Sequence, residues 1–484
     1  MDDTAPVIVW FRRDLRLADN PALAAAAAAA GAPVIPLYVL DESQAIRPMG
    51  GAHRWWLDRS LRALGAELAG RGSPLVLRRG AVEQVVPALA REVGAGAVYW
   101  TRLWDPGVPE RDADLQEALG DAGLEALRFD GALLIEPGAL TTKTGGVYGV
   151  FTPFWRAARA AIRVPDALPA PERLRPPPAP VDSDDLDGWA LHPTRPDWSE
   201  GFDVWTPGEA AGRERLHGFV DGALGGYSRG RDAPAEDGSS RLSPYLHWGE
   251  VGPRQVWRSV QAAAASGRVA EAQADKLLSE LAWREFNHHL LAARPNLATR
   301  AVKPAFERMP WRRDPAGLRA WTRGETGYPI VDAGMRQLWT TGWMHNRVRL
   351  ITASFLVKHL LIDWREGERW FWDTLVDADP ANNAANWQWI AGSGADASPF
   401  FRIFNPVLQG EKFDPEGAYV KRWVPEVSRL PAKVIHQPWT ADTDLLGRAG
   451  VKLGRSYPRP MVDHAFARAR ALEALRGLRD PDAA

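Results

Sequence analysis

The chain of 484 residues contains no cysteine, which excludes disulfide staples, thiolate metal sites, iron–sulfur clusters and cysteine nucleophiles. It also lacks any run of about 18 apolar residues of the kind that crosses a bilayer; the alanine tract after Leu23 stops at Gly31. The start, Met1-Asp2-Asp3-Thr4, has no basic-then-apolar layout of a secretory signal. A cytoplasmic protein without a membrane anchor is therefore expected. An excess of charge is missing as well: 59 basic against 60 acidic residues leave a net charge of −1. Attraction of a polyanion by bulk charge is thereby excluded, so a nucleic-acid site has to be a local patch. No metal site is expected.

What the chain does have is a globular composition, 45% hydrophobic and 25% charged, and a length that suggests three domains or two large ones at about 150 residues each. Its 23 tryptophans outnumber 15 phenylalanines and 8 tyrosines. Core packing accounts for most indoles; stacking on planar ligands and carrying electrons are the sharper alternatives.

Short apolar runs at Val7 to Phe11, Val34 to Leu40, Pro74 to Leu77, Ala97 to Thr101 and Glu125 to Phe129 alternate with helical periodicity. That succession predicts a doubly wound parallel sheet, with any ligand at the carboxyl ends of the strands. The first strand runs into Trp10-Phe11-Arg12-Arg13-Asp14-Leu15-Arg16, which has no glycine, so the dinucleotide fingerprint is missing. Residues 131–205, rich in proline and acid from about 165 onward, read as a linker. At Thr206-Pro207-Gly208-Glu209 the spacing predicts a capping box opening a helix. Beyond it the apolar period is 3.6, as in Asp275 to Leu291, Met335 to Leu361 and Asp463 to Leu475. The expected organisation is an α/β domain over 1–130, a linker over 131–205 and an all-α domain over 206–484.

Four segments carry polar residues whose chemistry needs an account. From Gly225 through Ser243-Pro244 a glycine- and serine-rich loop runs into a helix start and offers amides and hydroxyls to a phosphate, or is an ordinary loop with a Ser-Pro cap. In Ser279 to Phe286, Glu280, Trp283 and Arg284 share neighbouring helix faces, which a plain Glu-to-Arg helix pair beside a core tryptophan also explains. In Gly342 to Leu350 two arginines flank a polar helix start, and Arg349 is expected to pair bidentately with Asp377. Asp379 before Pro380 reads as an N-cap. Asn382, Asn383 and Asn386 then sit in a helix interior, where asparagine is a poor choice unless it makes hydrogen bonds or faces water. Trp387 and Trp389 point to different sides of that helix.

Taken in order, Trp10 to Leu17, Glu280 to Phe286, Thr326 to Ala333, Gly342 to Arg349, Asp377 to Trp389 and Phe401 to Pro406 resemble the photolyase/cryptochrome family over nearly the whole chain. Phe371 to Leu375, Gln409 to Pro415 and Ile435 to Trp439 are similar to its bacterial class III branch, which acts on cyclobutane pyrimidine dimers. The resemblance implies FAD, bent into a U in the helical domain. Tyr227, Ser239, Ser240, Arg241, Leu242 and Ser243 would meet its phosphates and ribose. Arg349 with Asp377 would cover the isoalloxazine, Asp379 would meet its pyrimidine edge and ribityl side, and Asn383 its N5. Glu280, Arg284, Asn346 and Ala378 complete the implied cofactor set.

For the flipped lesion the resemblance implies hydrogen bonds from Glu280 and Asn346, stacking by Trp283 and Trp389, and Arg231 and Arg402 near the DNA backbone. Leu350 stands where many class I enzymes place a methionine against the dimer. A groove lined by Arg231, Arg347, Arg402 and Lys412 is expected. Glu280, Asn346 and Asn383 are the implied catalytic residues, and Trp387, Trp364 and Trp311 match the family's electron-transfer triad. The implied activity is light-driven repair by a monomer. A second, antenna chromophore, methenyltetrahydrofolate, would have Glu110 as a candidate contact. The rival is a cryptochrome-like blue-light photoreceptor. Plant cryptochromes carry aspartate in place of Asn383, and the asparagine favours repair. A flavin electron-transfer oxidoreductase would need a nicotinamide fingerprint, which the chain lacks.

Overall fold

The computed structural model describes residues 5–29, 31–43, 46–396 and 401–478; the acidic start Met1-Asp2-Asp3-Thr4 and Ala30 of the alanine tract lie outside the described residues. Strands β1 (Val7–Phe11), β2 (Val34–Leu40), β3 (Val76–Arg79), β4 (Ala97–Thr101) and β5 (Glu125–Phe129) form one parallel sheet in the order β3-β2-β1-β4-β5. Every residue of β1, β2 and β4 is buried, as continuous apolar strands covered on both faces must be. The third strand starts two residues later than expected. Pro74 has no N–H for a ladder, and pairing begins at Leu37 with Val76.

Between and after the strands come α1 (Pro21–Ala28), α2 (Gly51–Gly70), α3 (Val82–Val93), α4 (Val108–Asp121), α5 (Phe151–Ala161) and α6 (Glu209–Asp221). They are followed by α7 (Tyr227–Gly230), α8 (Ser243–Trp248), α9 (Pro253–Ala265), α10 (Glu271–Ala293), α11 (Pro315–Arg323), α12 (Pro329–Thr341) and α13 (Asn346–Ser354). The last are α14 (Trp364–Thr374), α15 (Pro380–Ala391), α16 (Pro406–Phe413), α17 (Ala418–Trp423), α18 (Ala432–Ile435), α19 (Thr443–Ala449) and α20 (His464–Gly477). No helix among the described residues is long and apolar enough to cross a membrane.

The chain packs as two compact units, and their limits differ from the expected boundary at 206. The first comprises Met1–Asp197, Trp205–Gly225 and Ser240–Pro295; the second comprises Trp198–Val204, Gly226–Ser239 and Asn296–Ala484. Helices α6 and α8–α10 thus belong with the sheet, because α10 packs on α5 and α9, and α9 on α6. Two carboxylates tie that unit together. Glu209 accepts the backbone N–H groups of Leu17 at 2.6 Å and Ala18 at 3.2 Å. The capping box expected for α6 is therefore not formed; its N-cap is Gly208, without a side-chain cap. Glu285 on α10 accepts from Leu134 N at 2.7 Å and Ile135 N at 3.1 Å. Residues 131–205 are accordingly more than a linker: Phe151, Phe154 and Ala158 form the buried face of α5, and Phe154 lies 5.3 Å from Phe286.

Glu250 in the same unit accepts from Trp56 Nε1 at 3.1 Å, Gly208 N at 2.6 Å and the Ser60 hydroxyl. Burial pushes Glu250 up to about 8 and Glu285 up to about 7, against the ordinary glutamate value of 4.5. A folded-state value above the unfolded one means that the folded chain holds more protons. The contribution to stability is full below the unfolded value and is lost as pH rises through 7 and 8. The thermal midpoint is expected to fall between about pH 5 and about pH 8, with a shallower fall in Glu250→Gln; a midpoint that is flat or rises over that range contradicts the assignment.

In the second unit the span Met335 to Leu361, expected to be helical throughout, breaks at Gly342. This residue ends α12 with φ +65°, and an added Cβ would lie 2.7 Å from both Phe202 Cζ and Val376 Cγ1. The chain resumes as α13 and widens into a π-helical turn at Phe355–His359. The turn delivers Lys358 into the interior, where its amine donates to the carbonyl of Ala391, the last residue of α15, at 3.0 Å and lies 2.9 Å from the Phe401 ring centroid. Burial lowers its pKa well below the usual lysine value. Around this turn Trp321, Val331, Met335, Leu338, Val348, Phe355, Leu356, Phe371 and Trp387 make the core.

Candidate active site

Helices α13, α14 and α15 of the second unit position the site. His345 caps α13 through Nδ1, which accepts Arg347 N at 3.2 Å, and Asn346 becomes its first residue. Arg349 is fixed at every corner: Nε donates to Met344 O at 2.8 Å, Nη1 to Asp377 Oδ1 at 3.1 Å and Nη2 to Asp377 Oδ2 at 2.8 Å. This is the bidentate pair expected from the sequence, with the Asp377 side chain 1% exposed. Asp379 is the N-cap of α15 and accepts from Ala381 N at 3.0 Å and Asn382 N at 2.8 Å.

Asn383 is oriented by α14. Its Nδ2 donates to Glu368 O at 3.0 Å and to Glu368 Oε1 at 2.9 Å. A backbone carbonyl can only accept, so the amide cannot be turned round, and Oδ1 is the atom left for a ligand. One turn further along α15, Trp387 is seated against Gly367 of α14, with Phe371 at 5.0 Å and Trp321 at 6.1 Å between ring centroids.

These residues line a partly open cavity bounded by Asn346, Arg349, Leu350, Ala353, Phe371, Leu375, Asp377, Ala378, Asp379, Asn382, Asn383, Asn386, Trp387 and Ile390. Apolar side chains supply its broad walls, and amides, the Arg349–Asp377 pair and Asp379 supply a polar edge. That division suits a planar heteroaromatic ring with hydrogen-bonding groups along one side. Of the residues singled out in the sequence, it brings together Asn346, Arg349, Leu350, Asp377, Ala378, Asp379, Asn383 and Trp387. Sequence reasoning missed Glu368, which orients Asn383, and Phe371, which supports Trp387. Asn382 and Asn386 were visible only as misplaced helix residues.

The other expected site residues of the second unit do not line this cavity. Tyr227 is buried at the start of α7 with the Arg231 guanidinium 5.7 Å from its ring centroid. Ser239 follows Gly238, where a Cβ would lie 2.5 Å from Gly230 O, so that loop is tightly closed. Trp364 is buried on α14 beneath Arg365. Trp311 is partly buried, with its Nε1 enclosed and unpartnered among the described residues. Trp389 is partly exposed, unlike Trp387. Arg402 and Lys412 are exposed. Arg347, expected to line the groove, pairs with Asp232 at 2.7 Å and lies 4.4 Å from the Phe413 ring centroid.

The remaining expected residues belong to the first unit. Ser240 O accepts from Arg215 Nε at 2.8 Å, and Arg241 holds φ +51°, a left-handed backbone unusual for a side-chain-bearing residue. Ser243 is the first residue of α8 rather than its cap, which is Leu242. The expected Glu280–Arg284 helix pair is replaced by others: Glu280 pairs with Lys276 at 2.9 Å, while Arg284 donates to Ala132 O at 2.9 Å and lies 3.3 Å from Glu285. Trp283 stacks face to face on Phe151 at 3.8 Å, which covers one side of its ring. Glu110 is exposed in the first turn of α4.

Comparison with known proteins gives a consistent result. Residues 7–174 match the family described as DNA photolyase, and residues 277–477 match the FAD binding domain of DNA photolyase. The chain is 53% identical over 472 residues to the deoxyribodipyrimidine photo-lyase of Agrobacterium fabrum, covering 97% of this chain and 98% of that protein. It is 38% identical to cryptochrome-1 of Arabidopsis thaliana, over 97% of this chain and 70% of that protein. Among solved structures, a class III photolyase from Agrobacterium tumefaciens superposes with a TM-score of 0.95 at 52% identity, covering 98% of both chains.

Proposed function

This chain belongs to the DNA photolyase family, and on that premise we propose that it is a light-driven deoxyribodipyrimidine photo-lyase that reverses cyclobutane pyrimidine dimers in DNA. The observation that carries the reading is the single cavity in which Arg349–Asp377, Asp379, Asn346 and the oriented amide of Asn383 meet apolar walls. Its polar edge and flat apolar faces fit the isoalloxazine of FAD. When bound in its reduced form and excited by blue light, FAD supplies one electron to the dimer and takes it back, so no net redox occurs.

The chain's own residues do the holding. Arg349, fixed by Asp377, covers one side of the ring system; Asp379 meets its pyrimidine edge; Asn383 presents Oδ1. In the second unit Tyr227, the first residue of α7, and Ser239 are the proposed contacts for phosphates and ribose, with Ala378 a further cofactor contact; Ser240 to Ser243 and Arg284 of the first unit are candidates on the family resemblance alone. Dimer bases are extruded because the lesion cannot be reached inside a duplex, and weakened pairing at the damage lowers that cost. Asn346 and Leu350 receive them in the second unit. Glu280 and Trp283, in the first unit, are candidate lesion contacts on the family resemblance alone. Arg231, Arg402 and Lys412 serve the phosphates, so affinity falls steeply with salt. Trp387, Trp364 and Trp311 carry electrons to the flavin for photoreduction. Methenyltetrahydrofolate is the proposed antenna, with Glu110 its candidate contact, and the protein is taken to act as a cytoplasmic monomer.

The test is illumination of the reduced holoprotein with a dimer-containing oligonucleotide, following the return of thymine absorbance. Turnover in light and none in darkness is expected. Tight flavin binding without recovery of thymine would overturn repair in favour of the photoreceptor.

A further inference from the structure

We propose that Asn386 is a recognition residue of the same cavity, whose side-chain oxygen accepts the imide N–H of the ring bound there. The inference rests on the flavin-and-dimer reading above and names a contact that the reading does not contain. The three asparagines of α15 have different duties. Asn382 gives Nδ2 to Asp379 Oδ1 at 3.0 Å, and Asn383 gives its amide to Glu368. Both are used to hold the scaffold. Asn386 donates Nδ2 to Asn382 O at 2.8 Å, within its own helix.

That last bond fixes direction. The carbonyl of Asn382 can only accept, so Nδ2 is held against it and Oδ1 is turned the other way. Among the described residues Oδ1 receives no hydrogen bond, and Asn386 is an exposed residue that lines the cavity. Asparagine in a helix interior is disfavoured relative to alanine, the residue at both preceding positions, Ala384 and Ala385. A bond to its own helix does not repay that preference, since the carbonyl of Asn382 already belongs to the α-helical ladder. A neutral acceptor on a cavity wall selects an N–H donor, and the imide N–H is the donor shared by flavin and thymine rings.

The experiment uses the full chain with FAD bound and the variant Asn386→Ala. Alanine is the better helix former, so the variant is expected to melt no lower than the parent, and a loss of binding is not a loss of fold. In one arm flavin release is followed by fluorescence; in the other, binding of a dimer-containing oligonucleotide is compared with binding of the same oligonucleotide methylated at the thymine N3 positions. A contact to the flavin raises the flavin dissociation constant about fivefold and leaves the DNA arm unchanged. A contact to the dimer weakens DNA binding about fivefold, and methylation, which removes the N–H, then weakens the parent more than the variant. Unchanged binding in both arms, with the parent competent in both, overturns the role of Asn386 alone. A parent that neither retains FAD nor binds the dimer overturns the proposed function as well.

Discussion

Gly367→Ala is expected to destabilise the protein by about 2–3 kcal/mol and to abolish photoreduction, although the same change in an exposed helix would stabilise it by up to about 1 kcal/mol. The sign is decided by Trp387. A Cβ at position 367 would overlap the indole Cη2 and lie 2.5 Å from Cζ3 and 2.6 Å from Cζ2. The ring cannot swing clear, because it is 2% exposed and flanked by Phe371 and Trp321. Helices α14 and α15 must then part, which moves the cavity wall itself. Trp387→Phe removes the overlapping atoms, so the double variant should lose less stability than the sum of the singles, a coupling that thermal unfolding of all four proteins measures. Simple additivity would mean that the ring is not what Gly367 accommodates.

Asp377→Asn is expected to release bound flavin and to cost about 2–3 kcal/mol of stability, somewhat less than for a fully enclosed pair because Arg349 keeps partial exposure. The amide preserves the shape of the carboxylate but offers one acceptor where two are used, and it turns an N–H₂ toward a guanidinium nitrogen. Arg349 then faces the cavity as an uncompensated cation, held by Met344 O and the one remaining amide oxygen. Flavin retention through gel filtration, with a parallel melting curve, checks the result. A variant that retains flavin with an unchanged midpoint would show that the pair is incidental to the site.

Much of this architecture is legible from local pattern. β1, β2 and β4 fall where continuous apolar runs place them, β5 falls at the expected Glu125 to Phe129, and Asp379-Pro380 caps α15 through a side chain two and three residues from its partners. The Asp377–Arg349 pair was legible for a different reason, an unexplained carboxylate matched to an unexplained cation. What the pattern could not supply is long-range pairing. Glu209 has a local partner to satisfy in Thr206, yet it reaches Leu17 and Ala18. Glu280 and Arg284 stand one helical turn apart, yet each has a competing neighbour in Lys276 or Glu285. Helix α5 escaped because its buried face is only Phe151, Phe154 and Ala158, within a stretch whose proline and glycine content hides a short period. Glu368 carries no motif at all; only the packing of α14 against α15 gives it a purpose.

Helix α15 is pinned at both ends, by the Asp379 carboxylate over its first amides and by the Lys358 amine under its last carbonyl. A rod held in this way cannot slide along its axis, so the gap between the Trp387 indole and an occupant of the neighbouring hollow is a constant of the fold. Tunnelling probability decays exponentially with such a gap. Thermal breathing of the scaffold therefore contributes little scatter to the hopping rate, and charge injection on this side of the protein should slow only weakly on cooling.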